Sequence, residues 1–128
     1  GFSMDITPEI EAGRKLINGY GDGGFRISGT RHEGSVLVLP TLVTALAVTT
    51  VAEITEESVA PVLAADSGVE ILLIGCGREM ALVPESLRAV LRGAGVAVEP
   101  MDTGAACRTY NVLLAEDRRV AALLIAVD

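Results

Sequence analysis

The second half of the chain alternates between two kinds of apolar run. Val69–Ile74 is nearly continuous, as in a strand buried on both faces. Leu87, Val90, Leu91 and Ala94 then recur at the i, i+3, i+4, i+7 spacing of one helix face. Pro84 stands where first-turn prolines stand, and Gly93 and Gly95 supply a stop. Val96–Glu99 reads as a short strand. Asp102 or Thr103 can cap a following helix that turns Ala106, Tyr110, Leu113 and Leu114 inward. "EDRR" turns the chain, and Val120–Val127 reads as a last buried strand. Ahead of this series, Thr55 is a plausible N-cap with two Glu in the first turn, and Pro61 limits that helix to a short piece. Strand, helix, strand, helix, strand predicts a layered α/β core.

The first half has a different rhythm. Gly19, Gly21, Gly23, Gly24, Gly29 and Gly34 imply tight turns between short strands. "GGFRISGTRHEGSVLVLP" reads as a hairpin, with a strand near Phe25–Thr30, a turn at His32–Gly34 and a strand at Ser35–Leu39. Another strand is expected over Val43–Val51. The chain therefore reads as one domain, residues 1–128, with a β-rich part at about 14–52 and an alternating α/β part at about 53–128. No repeat, low-complexity segment or linker divides it.

Ser35–Ala52 carries no charge over 18 residues, near the lower limit for a membrane-spanning helix. Three features argue against spanning. The run holds four Thr and many β-branched residues, Pro40 interrupts it, and no Lys or Arg brackets it while Glu53 follows at once. Two buried strands around a proline-containing bend fit better.

Composition sharpens the picture. Half of the 128 residues are apolar but only two Phe, two Tyr and no Trp are present, so the core is built from Val, Leu, Ile and Ala. The net charge of −7, with ten basic residues scattered among 17 acidic ones, leaves no basic stripe to displace counterions from phosphates. A nucleic-acid partner is not expected. Cys76 and Cys107 form no CxxC or zinc spacing and read as reduced thiols. His32 is the only histidine, which excludes a His-rich metal site. The acidic start, "GFSMDITPEIEAG", is not a secretory signal.

The stretch "VEILLIGCG…VPESLRAVLRGAGVAVEPMDTGAACRTYNVLLAEDRRVAALLIAV" resembles a small family largely of unknown function. That family includes mitochondrial respiratory complex I assembly factor three and the adipogenesis-associated domain protein of animals. The resemblance covers about residues 30–127, and "MDTGAACRTYN" is its most specific piece. It implies a three-layer α/β sandwich with a mixed central sheet, helices on its faces and an additional N-terminal β subdomain. It also implies that some members bind partner proteins as assembly factors and turn over no substrate. It brings no catalytic residues. With no transit peptide in view, a bacterial, cytoplasmic member is expected.

Two segments are candidate sites. In "GCGREM", Gly75 and Gly77 match the first two glycines of a dinucleotide turn, and Glu99 stands where a ribose-binding acid would. Met80 occupies the third glycine place, and the next helix begins only near Pro84, so a plain strand-ending turn is the better reading. No GK[ST] follows, which excludes a P-loop. Cys76 lies in that turn, where a thiol beside a helix start can be activated, but no His or second Cys is near in sequence. In "MDTGAACRTYN", Asp102 and Thr103 end a strand, where α/β sheets form ligand crevices, and Arg108, Tyr110 and Asn111 follow. Capping and core packing are the bland alternative for all of them. Arg14–Lys15 and Arg31–His32 are expected in solvent, and His32 beside Glu33 in a surface turn.

The sequence thus points to a non-enzymatic protein-interaction module without metal or cofactor. Its partner would be a protein, a membrane-complex subunit among the options, and its aliphatic exposed strands suit a homodimer. The competing expectation is a protein or enzyme that binds a small anionic metabolite or nucleotide through Gly75, Cys76, Gly77, Asp102, Thr103, Arg108, Tyr110 and Asn111.

Overall fold

The computed structural model describes residues 13–128, so the acidic start of the chain lies outside the described residues. Three short strands come first: β1 (Ile17–Gly21), β2 (Gly24–Ile27) and β3 (Thr30–Glu33), paired antiparallel in that order. Asp22–Gly23 and Ser28–Gly29 are the two connections, and all four residues have positive φ. Positive φ at both central residues is what a type I′ hairpin turn requires, and it follows the twist of the strands.

The hairpin expected between Phe25–Thr30 and Ser35–Leu39 is therefore corrected. β2 turns at Ser28–Gly29 onto β3, so His32 and Glu33 lie in a strand and not in a turn. Gly34, at φ +78°, then pivots the chain into a second sheet. β1 lies in the glycine-rich stretch, where short strands between tight turns are expected but no bounds are given.

The second sheet has five strands in the order β5-β4-β8-β6-β7. β4 (Ser35–Leu39) and β5 (Leu42–Leu46) form a hairpin across the Pro40 bend. β4 is buried as expected, but β5 is a half-exposed edge that ends at Leu46, not Val51. Val51–Glu53 is instead a 3₁₀ turn, because the Glu53 carboxylate reaches back to the backbone N–H groups of Thr49 and Thr50. Hydrogen bonds from Thr49 come first among the causes that hold this carboxyl below its usual range.

A 3₁₀ turn at Glu57–Val59 leads into the short helix α1 (Ala60–Leu63), while Thr55 and Ser58 bond each other ahead of it. Then follow β6 (Ile71–Gly75), α2 (Glu85–Gly93), β7 (Ala97–Met101), α3 (Thr103–Ala115) and β8 (Val120–Leu124). Pro84 is the N-cap of α2 and not its first helical residue, and the last strand stops three residues short of Val127. β8 runs parallel to β6 and antiparallel to β4, which makes the sheet mixed.

Strands β8 and β6 are buried on both faces, as their apolar runs require. On one face Leu37, Leu72, Ile74, Ala121 and Leu123 meet Val59, Val62, Leu87 and Leu91 from the short turns, α1 and α2. On the other, Val36, Val38, Leu73, Ala122 and Leu124 meet Ala106, Tyr110 and Leu114 of α3 with Ile17, Phe25 and Ile27 of the small sheet. The result is a three-layer α/β sandwich with an added N-terminal β unit. Cys107 packs in the second core and Cys76 against the first, so the central sheet separates the two free thiols.

Candidate functional site

The loop after β6 leads to α2 on one face, and the residue after β7 starts α3 on the other. The carboxyl ends of β6 and β7 are thus a point where the chain departs in opposite directions, the usual place for a crevice in such sheets. The Gly75–Gly77 turn and Asp102–Thr103 meet there.

Thr103 ties that end of the sheet together. Its backbone N–H donates to the Gly77 carbonyl at 2.8 Å, and its hydroxyl accepts from the Gly77 N–H at 2.9 Å. The same hydroxyl donates to the Ile125 carbonyl at 2.7 Å, and Thr103 is fully buried. Cys76 N–H donates to Met101 O, and Ile125 N–H to Gly75 O. The ends of three strands are laced by these bonds. Gly75 is required by the lacing: a Cβ there would lie 3.0 Å from Thr103 Cα and 3.1 Å from its Oγ1.

The lacing uses both turn amides, those of Cys76 and Gly77, that a pyrophosphate would need. Helix α2 begins only at Glu85 behind a proline cap, which has no N–H to offer. The other helix start, that of α3, is capped by Asp102, whose carboxylate accepts from Ala105 N–H at 2.9 Å. A negative charge already occupies the positive end of that helix.

The remaining candidates separate. Asn111 leaves the crevice and clamps β1: its side-chain oxygen accepts from Ile17 N–H at 2.9 Å and its NH₂ donates to Ile17 O at 2.7 Å. Tyr110 is wholly buried in the core beneath the small sheet, its hydroxyl has no partner, and burial pushes its pKa up. Burial likewise pushes the Cys107 thiol up to about 12. Cys76 is half-buried, with its Sγ near the Ile74 and Ala81 carbonyls. Of the expected polar residues only Arg108 is exposed at the crevice, its guanidinium lying over Gly104. Arg14 and Arg31, expected in solvent, are both engaged: Arg14 with Asp117 at 3.0 Å, Arg31 with Glu33 at 2.8 Å and with the Asp22 carbonyl.

Two clefts open at this end. One, of about 450 Å³, runs from Thr49–Ala52 to Cys76, Ala81 and Leu82. The other, of about 370 Å³, lies between Tyr20, Asp102 and Gly104. Gly77, Arg78, Val127 and Asp128 line both. The loop from β6 to α2 holds two large apolar side chains in solvent, Met80 at 60% exposure and Leu82 at 89%, and Tyr20 is 45% exposed on the far rim. Sequence reasoning missed Tyr20, Leu82 and Gly104. The Asp-Gly turn after Tyr20 was the available signal for a strand there, and a leucine in a loop just before Pro84 was the signal for Leu82. Among the described residues, no group of three or more His, Cys, Asp and Glu is placed to hold a metal, and no helix is long and apolar enough to cross a membrane.

These features define a mixed-sheet α/β domain whose crevice is closed by its own threonine and rimmed by apolar side chains and arginines. Residues 17–125 match the family described as "Protein of unknown function (DUF498/DUF598)", and the chain belongs to that family. An uncharacterised protein of Rhodobacter capsulatus is 40% identical over 89% of this chain and 86% of its own. The bovine NADH dehydrogenase [ubiquinone] 1 alpha subcomplex assembly factor 3 is 39% identical over 85% of this chain, which spans 59% of that protein's length. Among solved structures, one described as an outer membrane protein from Bartonella henselae aligns with a TM-score of 0.83 at 45% identity, over 91% of this chain and 98% of that one. A Bordetella parapertussis protein aligns at 0.79 and 34% identity, over 88% and 96%.

Proposed function

We propose that this protein is a non-enzymatic interaction module that docks a partner protein on the crevice rim. The observation that carries this reading is the grouping of exposed Leu82 with Arg78 and Tyr20 around clefts whose turn amides are already spent, with exposed Met80 in the same loop as Leu82 and Arg108 over Gly104. Met, Tyr and Arg are the residue types enriched where proteins meet. The likeness to an assembly factor of a respiratory complex supports a membrane-complex subunit as the partner. Two free thiols kept on opposite sides of the sheet fit a reducing compartment, and we place the protein in the cytoplasm. Within the candidate segment, Arg108 acts in docking. Gly75, Gly77, Asp102, Thr103, Tyr110 and Asn111 hold the rim in shape, and Cys76 lines it.

The test is a pull-down of tagged protein from its native cells with gentle crosslinking and mass spectrometry. Wild type is expected to retain a membrane-complex subunit, and Leu82→Asp and Arg108→Ala to lose it with unchanged circular dichroism. Retention by both variants sinks the docking site. The competing reading, a small anion held by the Gly75–Gly77 turn and the Asp102–Asn111 segment, predicts instead that phosphate or small carboxylic acids raise the melting temperature and that Arg108→Ala abolishes the shift.

A further inference from the structure

The two sheets present four strand edges, and three carry a device that blocks pairing with another chain. β7 has Glu99 and Pro100. β3 has Arg31 and Glu33. β1 has two glycines and a register irregularity between Ile17 and Gly19. Charges, prolines, bulges and glycine are the means by which edges are kept single. β5, Leu-Val-Thr-Ala-Leu, has none of them. Among the described residues its only strand partner is β4, and Leu42 at its start is 47% exposed.

We infer that β5 is a homodimer edge, pairing antiparallel with β5 of a second copy about a two-fold axis through Thr44. Two features identify a second copy as the occupant. The first is self-complementarity. Centring the pair on Thr44 sets Leu42 against the other Leu46, Val43 against the other Ala45, and Thr44 against itself. Each pair keeps its face: Leu42, Thr44 and Leu46 share the side of Leu37 and Leu39, while Val43 and Ala45 share the side of Val36 and Val38. Every cross-strand pair is then apolar except Thr–Thr, which is itself a favourable one.

The second feature is charge. A chain of net charge −7 repels its own copy, so two copies meet where charge is absent. Gly34–Ala52, which contains β5, is the long uncharged segment of the sequence. The pairing joins both central sheets into one continuous sheet. It uses an edge separated from β6 by β4 and β8, and it does not rest on the docking reading above.

The experiment is sedimentation of the whole chain across concentrations into the millimolar range, with two variants. Wild type is expected to sediment at twice the monomer mass. Thr44→Lys, which sets like charges face to face at the axis, is expected to halve that mass without loss of circular dichroism. In a Cys76→Ser background, Thr44→Cys is expected to form a disulfide-linked dimer on mild oxidation. Directly opposed residues of an antiparallel pair have Cα atoms roughly 4.5–5.5 Å apart, within disulfide reach. Ala97→Cys on the β7 edge is expected to form no disulfide-linked dimer. A monomeric wild type, a Thr44→Lys variant that remains a dimer, or crosslinking from Ala97→Cys in place of Thr44→Cys overturns the inference.

Discussion

Thr103 and Gly77 are bonded to each other in both directions, N–H to carbonyl and hydroxyl to N–H, across 26 residues of sequence. With Ile125 as the third partner, a single buried side chain fixes the loop after β6, the start of α3 and the end of β8. Thr103→Val keeps the shape but strands the Gly77 N–H and the Ile125 carbonyl. A loss of about 1–3 kcal/mol is expected, the cost of unpaired buried groups. Thr103→Ser retains the hydroxyl and should recover most of it. Urea denaturation of the three proteins makes the comparison.

The Asn111 clamp gives a local prediction. Asn111→Leu removes both bonds to Ile17 and is expected to cost about 1–3 kcal/mol. The damage should be confined: hydrogen exchange at Ile17 accelerates, while the amides of β6 and β8 exchange as in wild type. Uniform acceleration across the chain would show that the small sheet and the core unfold as one unit.

Tyr110 should behave in the opposite sense. Its hydroxyl is buried with no partner, so Tyr110→Phe removes a desolvated polar atom and leaves the ring packing intact. The melting temperature is expected to rise, with a gain of about 1 kcal/mol. A loss would mean that the hydroxyl is bonded in solution.

Alkali should destabilise the fold. Burial raises the Cys107 thiol from 9.0 to about 12 and pushes Tyr110 upward from 10.0. Well below pH 9 both residues are protonated whether the chain is folded or not, and their contribution to stability is fully present. As pH rises toward 12 the unfolded chain releases protons that the folded chain retains, so stability falls. Tyr110→Phe and Cys107→Ala should each flatten that decline in denaturation midpoints measured from pH 8 to 11. Thiol labelling of native protein should mark Cys76 ahead of Cys107, which reacts only on unfolding.

The alternating half of the fold was readable because each segment there is decided locally. The Leu87–Leu91 face, the Asp102 cap and the apolar runs of β6 and β8 hold in the structure. The first half was harder. Asp22–Gly23 is a strong hairpin signal, but Ile17–Gly21 ahead of it holds two glycines and does not look like a strand. The stretch after Leu46 is rich in β-branched residues, yet the reach of Glu53 back to Thr49 and Thr50 overrides that propensity. At the crevice, the Asp102 cap was legible because its partner is three residues away. The role of Thr103 was not, because its side-chain partners lie 26 and 22 residues off and only the closed sheet brings them together.

Strand β8 lies in the middle of the five-stranded sheet, yet it follows every other strand in chain order. During synthesis on the ribosome, β4 and β6 therefore emerge as separate half-sheets with unsatisfied inner borders. The apolar layers cannot close until Val120–Leu124 has left the exit tunnel. Pairings such as Val36 with Leu124 span most of the chain, which makes folding slow and leaves an interval open to aggregation. A frameshift or stop codon just ahead of β8 would therefore leave a sticky fragment for chaperones and proteases to clear, although every other strand had been made.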